Sequence, residues 1–145
     1  MAQKTEKLKL ENQLCFPLYA ASKELVKRYR PYLDDLNLTY TQFITMAALW
    51  EHNRLNVKEL GEKLYLDSGT LTPVLKSLEA KGYVKRMRSR RDERVLNVEL
   101  TAQGKALSER AAAVPDQVAE SVSLSADEQQ TLRGLLYRLL EEKEA

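Results

Sequence analysis

Two groups of residues in this chain could do chemistry. The first is a run of cations. Residues 81–94 (KGYVKRMRSRRDER) hold seven Lys or Arg against two acids. That local balance of +5 sits in a chain of formal charge +2, so the rest carries −3. A basic patch on an acidic body is a footprint for a polyanion rather than a general surface property. The second is a lone thiol, Cys15. The thiolate is the reactive form of cysteine, and the free amides and dipole of a helix N-terminus favour it.

Several classes fall away. With one cysteine and with His52 as the only imidazole, neither an intrachain disulfide nor a zinc cluster is expected. No metal and no cofactor is expected. There is no Cys-x-x-Cys, no resolving cysteine and no thioredoxin-like βαβ pattern, so the chain reads as a non-enzyme rather than a thiol peroxidase or reductase. No apolar run approaches the ~20 residues that span a bilayer. The opening MAQKTEKLKLENQ lacks the apolar centre of a signal peptide, so a cytoplasmic location is expected. The 145 residues, 43% of them hydrophobic, suffice for one packed domain, or for one domain plus a dimerisation arm.

The elements that must position these residues are legible from caps and periodicity. A first helix is expected to begin near Asn12, as N-cap, which would make Cys15 its third residue. Its apolar positions are Leu14, Leu18, Ala21 and Leu25, flanked by Cys15, Tyr19, Val26 and Tyr29. Pro17 must lie in the opening turns or kink the helix, and Pro31 is expected to end or bend it. Thr39 and Gln42 form a capping box for a second helix through Ile44, Ala47, Ala48 and Trp50. Asn56 and Glu59 form another, for a third helix on Val57, Leu60 and Leu64, where Gly61 suits close packing. A fourth follows Leu66-Asp67-Ser68 with Leu71, Val74, Leu75 and Leu78, and Gly82 is its left-handed C-cap. Tyr83 to Met87 and Val95 to Leu100 read as strands around a tip from Arg88 to Arg94, with Leu96, Val98 and Leu100 on the buried face. Thr101 caps a fifth helix, which Pro115 breaks. Ser125 and Glu128 box the last helix, with its stripe Leu132, Leu135, Leu136, Leu139 and Leu140. Residues 1–9 and the last few read as loose ends.

This order predicts a mainly α fold with a small β wing: a winged helix-turn-helix at 37–101, with helices at 10–36 and 102–145 forming a dimerisation region. The second helix of a helix-turn-helix enters the major groove by its first residues. Here these are Ser68, Gly69, Thr70, Thr72 and Pro73, with Lys76 a turn later on a phosphate. Small hydroxyls reach base edges without filling the groove, and a Thr methyl can touch a thymine methyl. Equally, Ser68, Thr70 and Thr72 are ordinary capping and first-turn residues. At the tip, a narrow minor groove attracts an inserted Arg, and Arg94 is the candidate, aimed by Asp92. Arg86, Arg88, Arg90 and Arg91 are expected on phosphates. A charge run alone is more often a solvated face. Its place after two capped helices and between two strands makes double-stranded DNA the expected partner. The two terminal stripes predict a two-fold homodimer. The plainer alternative packs both stripes inside one chain.

The stretch LYLDSGTLTPVLKSLEAKGYVKRMRSRRDERVLNVELTAQG resembles the winged-helix core of the MarR family of bacterial transcription regulators. Asp92 and Arg94 match the family's D-x-R, and Leu100, Thr101 and Gly104 its L-T-x-x-G. ENQLCFPLYAASKELVKRYRP resembles that family's one-cysteine organic hydroperoxide resistance (OhrR) branch. Pro17 departs from the ordinary helix former usual there. The resemblance implies a homodimeric repressor on an inverted-repeat operator, released when organic peroxide oxidises Cys15. Tyr29 and Tyr40 of the other subunit would be hydroxyl partners of the thiol, and Tyr19 a neighbour. Lacking a second cysteine, the sulfenic acid would condense with a small cellular thiol into a mixed disulfide, or over-oxidise. By spacing alone, a cysteine on an apolar stripe is more often a core filler than a sensor. A second reading within the family is release by a non-covalent phenolic or lipophilic ligand, with Cys15 incidental.

Overall fold

The computed structural model describes residues 2–141. They fall into two compact units that divide between Val114 and Pro115.

The first unit opens with α1 (Ala2–Leu8) and a 3₁₀ turn at Leu10–Asn12. Residues 2–8, expected to be loose, are therefore helical, while residue 1 and the last four residues lie outside the described part. Then comes α2 (Cys15–Asp34). Two expectations fail here. Asn12 does not cap α2: its side-chain amide donates to the Glu6 carbonyl at 2.7 Å, closing the 3₁₀ turn back on α1. The N-cap position is Leu14, without a side-chain cap, so Cys15 is the first helical residue rather than the third. Pro17 then falls in the first turn, where its missing N–H has no helical partner to lose. Of the two outcomes expected at Pro31, an end or a bend, the end is excluded, because α2 runs on to Asp34. A proline deletes one i→i−4 bond, and the residues after it can still bond back.

Thr39 caps α3 (Tyr40–His52) through the expected box with Gln42. A strand absent from the sequence reading, β1 (Arg54–Asn56), follows at once. Asn56 and Glu59 then box α4 (Val57–Leu64), and Asp67 caps α5 (Ser68–Ala80) by accepting from the Thr70 amide. Leu60, Leu71, Leu75 and Leu78 are fully buried beside Met46 and Leu49 of α3. This buried cluster clamps α4 and α5 to the rest of the unit. Gly82, at φ 84°, ends α5, with the Tyr83 amide reaching back to Leu78 and the Gly82 amide to Glu79.

β2 (Val84–Arg88) and β3 (Leu96–Leu100) pair antiparallel, and β1 adds to the far edge of β3, giving the order β1-β3-β2. Val98 and Leu100 are buried as their alternation requires. Thr101 caps α6 (Ala102–Ala111), and the Trp50 indole donates to the Gly104 carbonyl at 2.9 Å.

Val114 opens α7 (Val114–Glu120), so Pro115 lies in a new first turn after a break at 112–113. In the second unit, Ser125 and Glu128 form the expected box on α8 (Ala126–Glu141). Gln129 donates to the carbonyls of Ala119 and Leu124, pinning the start of α8 to the end of α7. Leu132, Leu135, Leu139 and Leu140 are exposed. Among the described residues no helix is long and apolar enough to cross a membrane.

Candidate nucleic-acid interface and thiol site

The turn between α4 and α5 is tight. Tyr65 takes the left-handed conformation, and the amides of both Tyr65 and Leu66 return to the Gly61 carbonyl. A Cβ on Gly61 would stand 2.8 Å from the Leu66 carbonyl oxygen, so only glycine lets the turn close this way. From that turn α5 sets out with Ser68, Gly69, Thr70, Pro73 and Lys76 exposed and Thr72 half-buried. The buried residues Leu71, Leu75 and Leu78 keep the opposite face inward. The cap itself is Asp67, whose carboxyl the Thr70 hydrogen bonds hold below its ordinary range. Of the hydroxyls, Thr72 is engaged locally, donating to the Ser68 carbonyl at 2.7 Å.

A brace fixes the back of α5. The buried Gln42 donates to the Ser77 hydroxyl at 2.9 Å, and its carbonyl oxygen accepts from the Thr39 amide and from Lys81. Lys81 also donates to the Asn37 carbonyl. The end of α5 is thereby tied to the corner that carries Tyr40.

The wing tip is built by Ser89, whose amide donates to Val95 and whose hydroxyl accepts from the amides of Arg91 and Asp92. The bond expected between Asp92 and Arg94 is present. Asp92 accepts from Arg94 Nε at 3.0 Å and Nη2 at 3.2 Å, while the Arg94 side chain stays 90% exposed. Those bonds hold the Asp92 carboxyl below its ordinary range. Arg88, Arg90 and Arg91 are exposed as well. Arg86 is different. Glu79 at the end of α5 takes its backbone amide at 3.0 Å, its Nε at 3.2 Å and its Nη2 at 2.9 Å. Sequence reasoning missed Glu79, and it took Gln42 only as half of a cap and Lys81 only as part of the basic run. A signal existed for Glu79: an acid in the last turn of a helix opposes the helix dipole, so it needs a partner to hold it there.

Cys15 is exposed on the first turn of α2. Tyr19, one turn on, is exposed, with Lys23 over its ring at 5.0 Å. Tyr29 and Tyr40 lie together, ring centroids 4.9 Å apart and edge-on, with Phe43 beside them. Burial pushes the Tyr29 hydroxyl above its ordinary pKa, so it remains a hydrogen-bond donor. Tyr29 is 14 residues beyond Cys15 in α2. At 1.5 Å per residue that is about 21 Å along the axis, so the pair is out of reach of its own chain's thiol.

Two helices joined by a tight turn, followed by an arginine-tipped hairpin, define a winged-helix protein of the kind that regulates transcription. Residues 22–111 match the sequence profile of the family described as transcriptional regulator SarA/Rot, and the chain belongs to this family of regulators, which are not enzymes. It is 48% identical over 141 residues to the organic hydroperoxide resistance transcriptional regulator of Bacillus subtilis, covering 97% of this chain and 96% of that one. It is 49% identical to the HTH-type transcriptional regulator SarZ of Staphylococcus haemolyticus, over 90% of this chain and 89% of that one. Among solved structures it is similar to reduced AbfR bound to DNA, with 35% identity and a TM-score of 0.78 over 98% of this chain and 99% of that one. Overoxidised AbfR bound to DNA is similar too, at 34% identity and a TM-score of 0.76 over 96% and 98%. The resemblance drawn from the wing and first-helix motifs agrees with these relatives.

Proposed function

We propose that this chain is a sequence-specific, DNA-binding repressor that senses organic peroxide by oxidation of Cys15. The observation that carries it is the 48% identity with an organic hydroperoxide regulator across nearly the whole chain, joined to an exposed thiol on the first turn of α2. Ser68, Gly69, Thr70, Thr72, Pro73 and Lys76 face the major groove. Arg88, Arg90 and Arg91 meet phosphates, and Asp92 aims Arg94 into the minor groove. Arg86 belongs to the same basic strand.

The working unit is a homodimer on an inverted repeat. Its support is the apolar surface left exposed, with Leu14 at 74% on one side of Cys15 and Leu135 at 50% on α8. The region at 10–36 and 102–145 forms the seam, and 37–101 reads DNA. Tyr29, about 21 Å along α2 from its own Cys15, and the adjoining Tyr40 serve the partner's thiol, and Tyr19 lines the same site.

The chemistry balances without a cofactor. The Cys15 thiolate attacks the outer oxygen of the hydroperoxide. The O–O bond breaks, an alcohol leaves once its alkoxide takes a proton, and Cys15 becomes a sulfenic acid. A small cellular thiol then condenses with it, forming an S–S bond and releasing water. AbfR has been solved on DNA in an overoxidised form, so release is assigned here to the bulk of the mixed disulfide rather than to oxygen on the sulfur. That bulk separates the first helices and spoils the spacing of the reading helices.

Cys15→Ser is expected to bind DNA as wild type does and to ignore cumene hydroperoxide with a low-molecular-weight thiol in a gel-shift titration. Release of that variant by peroxide would end the proposal. One observation favours the second reading, release by a phenolic or lipophilic ligand. A cavity of about 340 Å³ lies between α5 and the wing, lined by Thr72, Leu75, Arg86, Arg88, Val95 and Leu96 among others. A thiol-blocking reagent discriminates, because it leaves a ligand-released protein on DNA.

A further inference from the structure

We propose that Glu79 is a specificity-determining residue: it withdraws Arg86 from the phosphate-contacting set and fixes wing strand β2 against the reading helix α5. This rests on the DNA-binding reading above. It revises the sequence expectation, which gave Arg86 to a phosphate.

The geometry is that of a brace. Glu79 lies in the last turn of α5, seven residues before Arg86 on β2, and the Gly82 turn lies between them. One carboxylate oxygen takes Nε at 3.2 Å and Nη2 at 2.9 Å, and the other takes the Arg86 backbone amide at 3.0 Å. A side-chain pair alone would tie two flexible tips. The backbone bond adds the strand itself, so the carboxylate fixes where β2 leaves the turn. The Arg86 side chain is 23% exposed, whereas that of Arg94 is 90% exposed. Arg86 also lines the cavity beside Arg88 and Arg94, and Glu79 neutralises it there as Asp92 neutralises Arg94. The bonds from Arg86 hold the Glu79 carboxyl below its ordinary range, so the pair stays ionised wherever DNA binding is measured.

A cation on a phosphate tightens every sequence alike, whereas specificity depends on where base-reading groups stand. Glu79 acts on both. It removes one sequence-blind contact per wing and holds the wing at one angle to α5. Removing the carboxylate frees the guanidinium and loosens that angle, so binding to arbitrary DNA rises while discrimination falls.

The test measures affinity against salt for wild type, Glu79→Gln and Arg86→Met. The probes are the duplex the protein enriches from a random-sequence pool and the unselected pool itself. Each phosphate contact contributes roughly 0.9 to the slope of log affinity on log salt. Glu79→Gln is expected to steepen the slope by roughly 1.8 for the two wings of a dimer. It should bind the unselected pool several-fold more tightly, and its preference for the selected duplex should fall about tenfold. Arg86→Met is expected to keep the wild-type slope. A slope that Arg86→Met lowers by one or two, or that Glu79→Gln leaves unchanged along with the preference, overturns the assignment. A wild-type protein that enriches no duplex overturns the DNA-binding reading itself, and this proposal with it.

Discussion

Gly104→Ala is the substitution whose cost follows most directly from the fold. Gly104 is buried in the first turn of α6, where the chain of Tyr83 crosses it. An added Cβ would fall inside the envelope of the Tyr83 carbonyl oxygen, 3.0 Å from its carbon and 3.3 Å from a Leu100 methyl. The nearest obstacle is backbone, so no rotamer change relieves the clash. Either α6 or the root of β2 must move. Three hydrogen bonds meet at this crossing: Thr101 N to Tyr83 O at 3.1 Å, Gly104 N to Thr101 Oγ1 at 3.0 Å, and Trp50 Nε1 to Gly104 O at 2.9 Å. At about 0.5–1.5 kcal/mol each, their loss costs about 1.5–4.5 kcal/mol. Overpacking adds about 1–3 kcal/mol. Better helix propensity returns about 1 kcal/mol. The net is about 1.5–6.5 kcal/mol, set against the 5–15 kcal/mol typical of a domain. Urea unfolding followed by circular dichroism checks it, as a lower midpoint at unchanged slope. A variant within about 0.5 kcal/mol of wild type would mean that α6 and the wing root do not cross as described.

Gly61→Ala pushes a methyl to 2.8 Å from the Leu66 carbonyl oxygen, and the helix-turn-helix should lose about 1–3 kcal/mol on the same urea assay. Arg94→Ala should flatten the salt dependence of operator binding by roughly one unit per wing contact, and Asp92→Ala should weaken binding a few-fold by leaving Arg94 unaimed. Stability should fall in acid. The Thr70 bonds depress the Asp67 pKa from its ordinary 3.8, so the contribution of this carboxylate is complete above that value and disappears as pH drops through the depressed one. Asp67→Asn keeps a capping oxygen and does not titrate, so its melting temperature should match wild type at pH 7 and fall less steeply below about pH 4.

What could be read from the sequence was local. The boxes at Thr39–Gln42, Asn56–Glu59 and Ser125–Glu128 stand as expected because each is a reciprocal bond three residues apart, independent of the rest of the fold. The Asp92–Arg94 pair is of the same kind. What escaped was decided at a distance. β1 has three residues and no alternation to recognise, and it exists because Arg54, Leu55 and Asn56 pair with Glu99, Val98 and Asn97. Asn12 has the composition of a cap, but Glu6 offers its side chain another acceptor. Gln42 reads as half of a box, and its second bond, to Ser77 on α5, spans 35 positions.

Pro17 has a bearing on how far a disturbance at the sulfur can be absorbed. Leu14 already has helical torsions, whereas Gln13 is extended. For α2 to wind backwards over Gln13 it would need the amide that Pro17 lacks, and the proline ring would strike the Gln13 carbonyl. The coil therefore has a ratchet stop one residue before Cys15. A group added to the sulfur cannot be accommodated by lengthening the helix around it, so the displacement is passed on to whatever surface lies against the thiol.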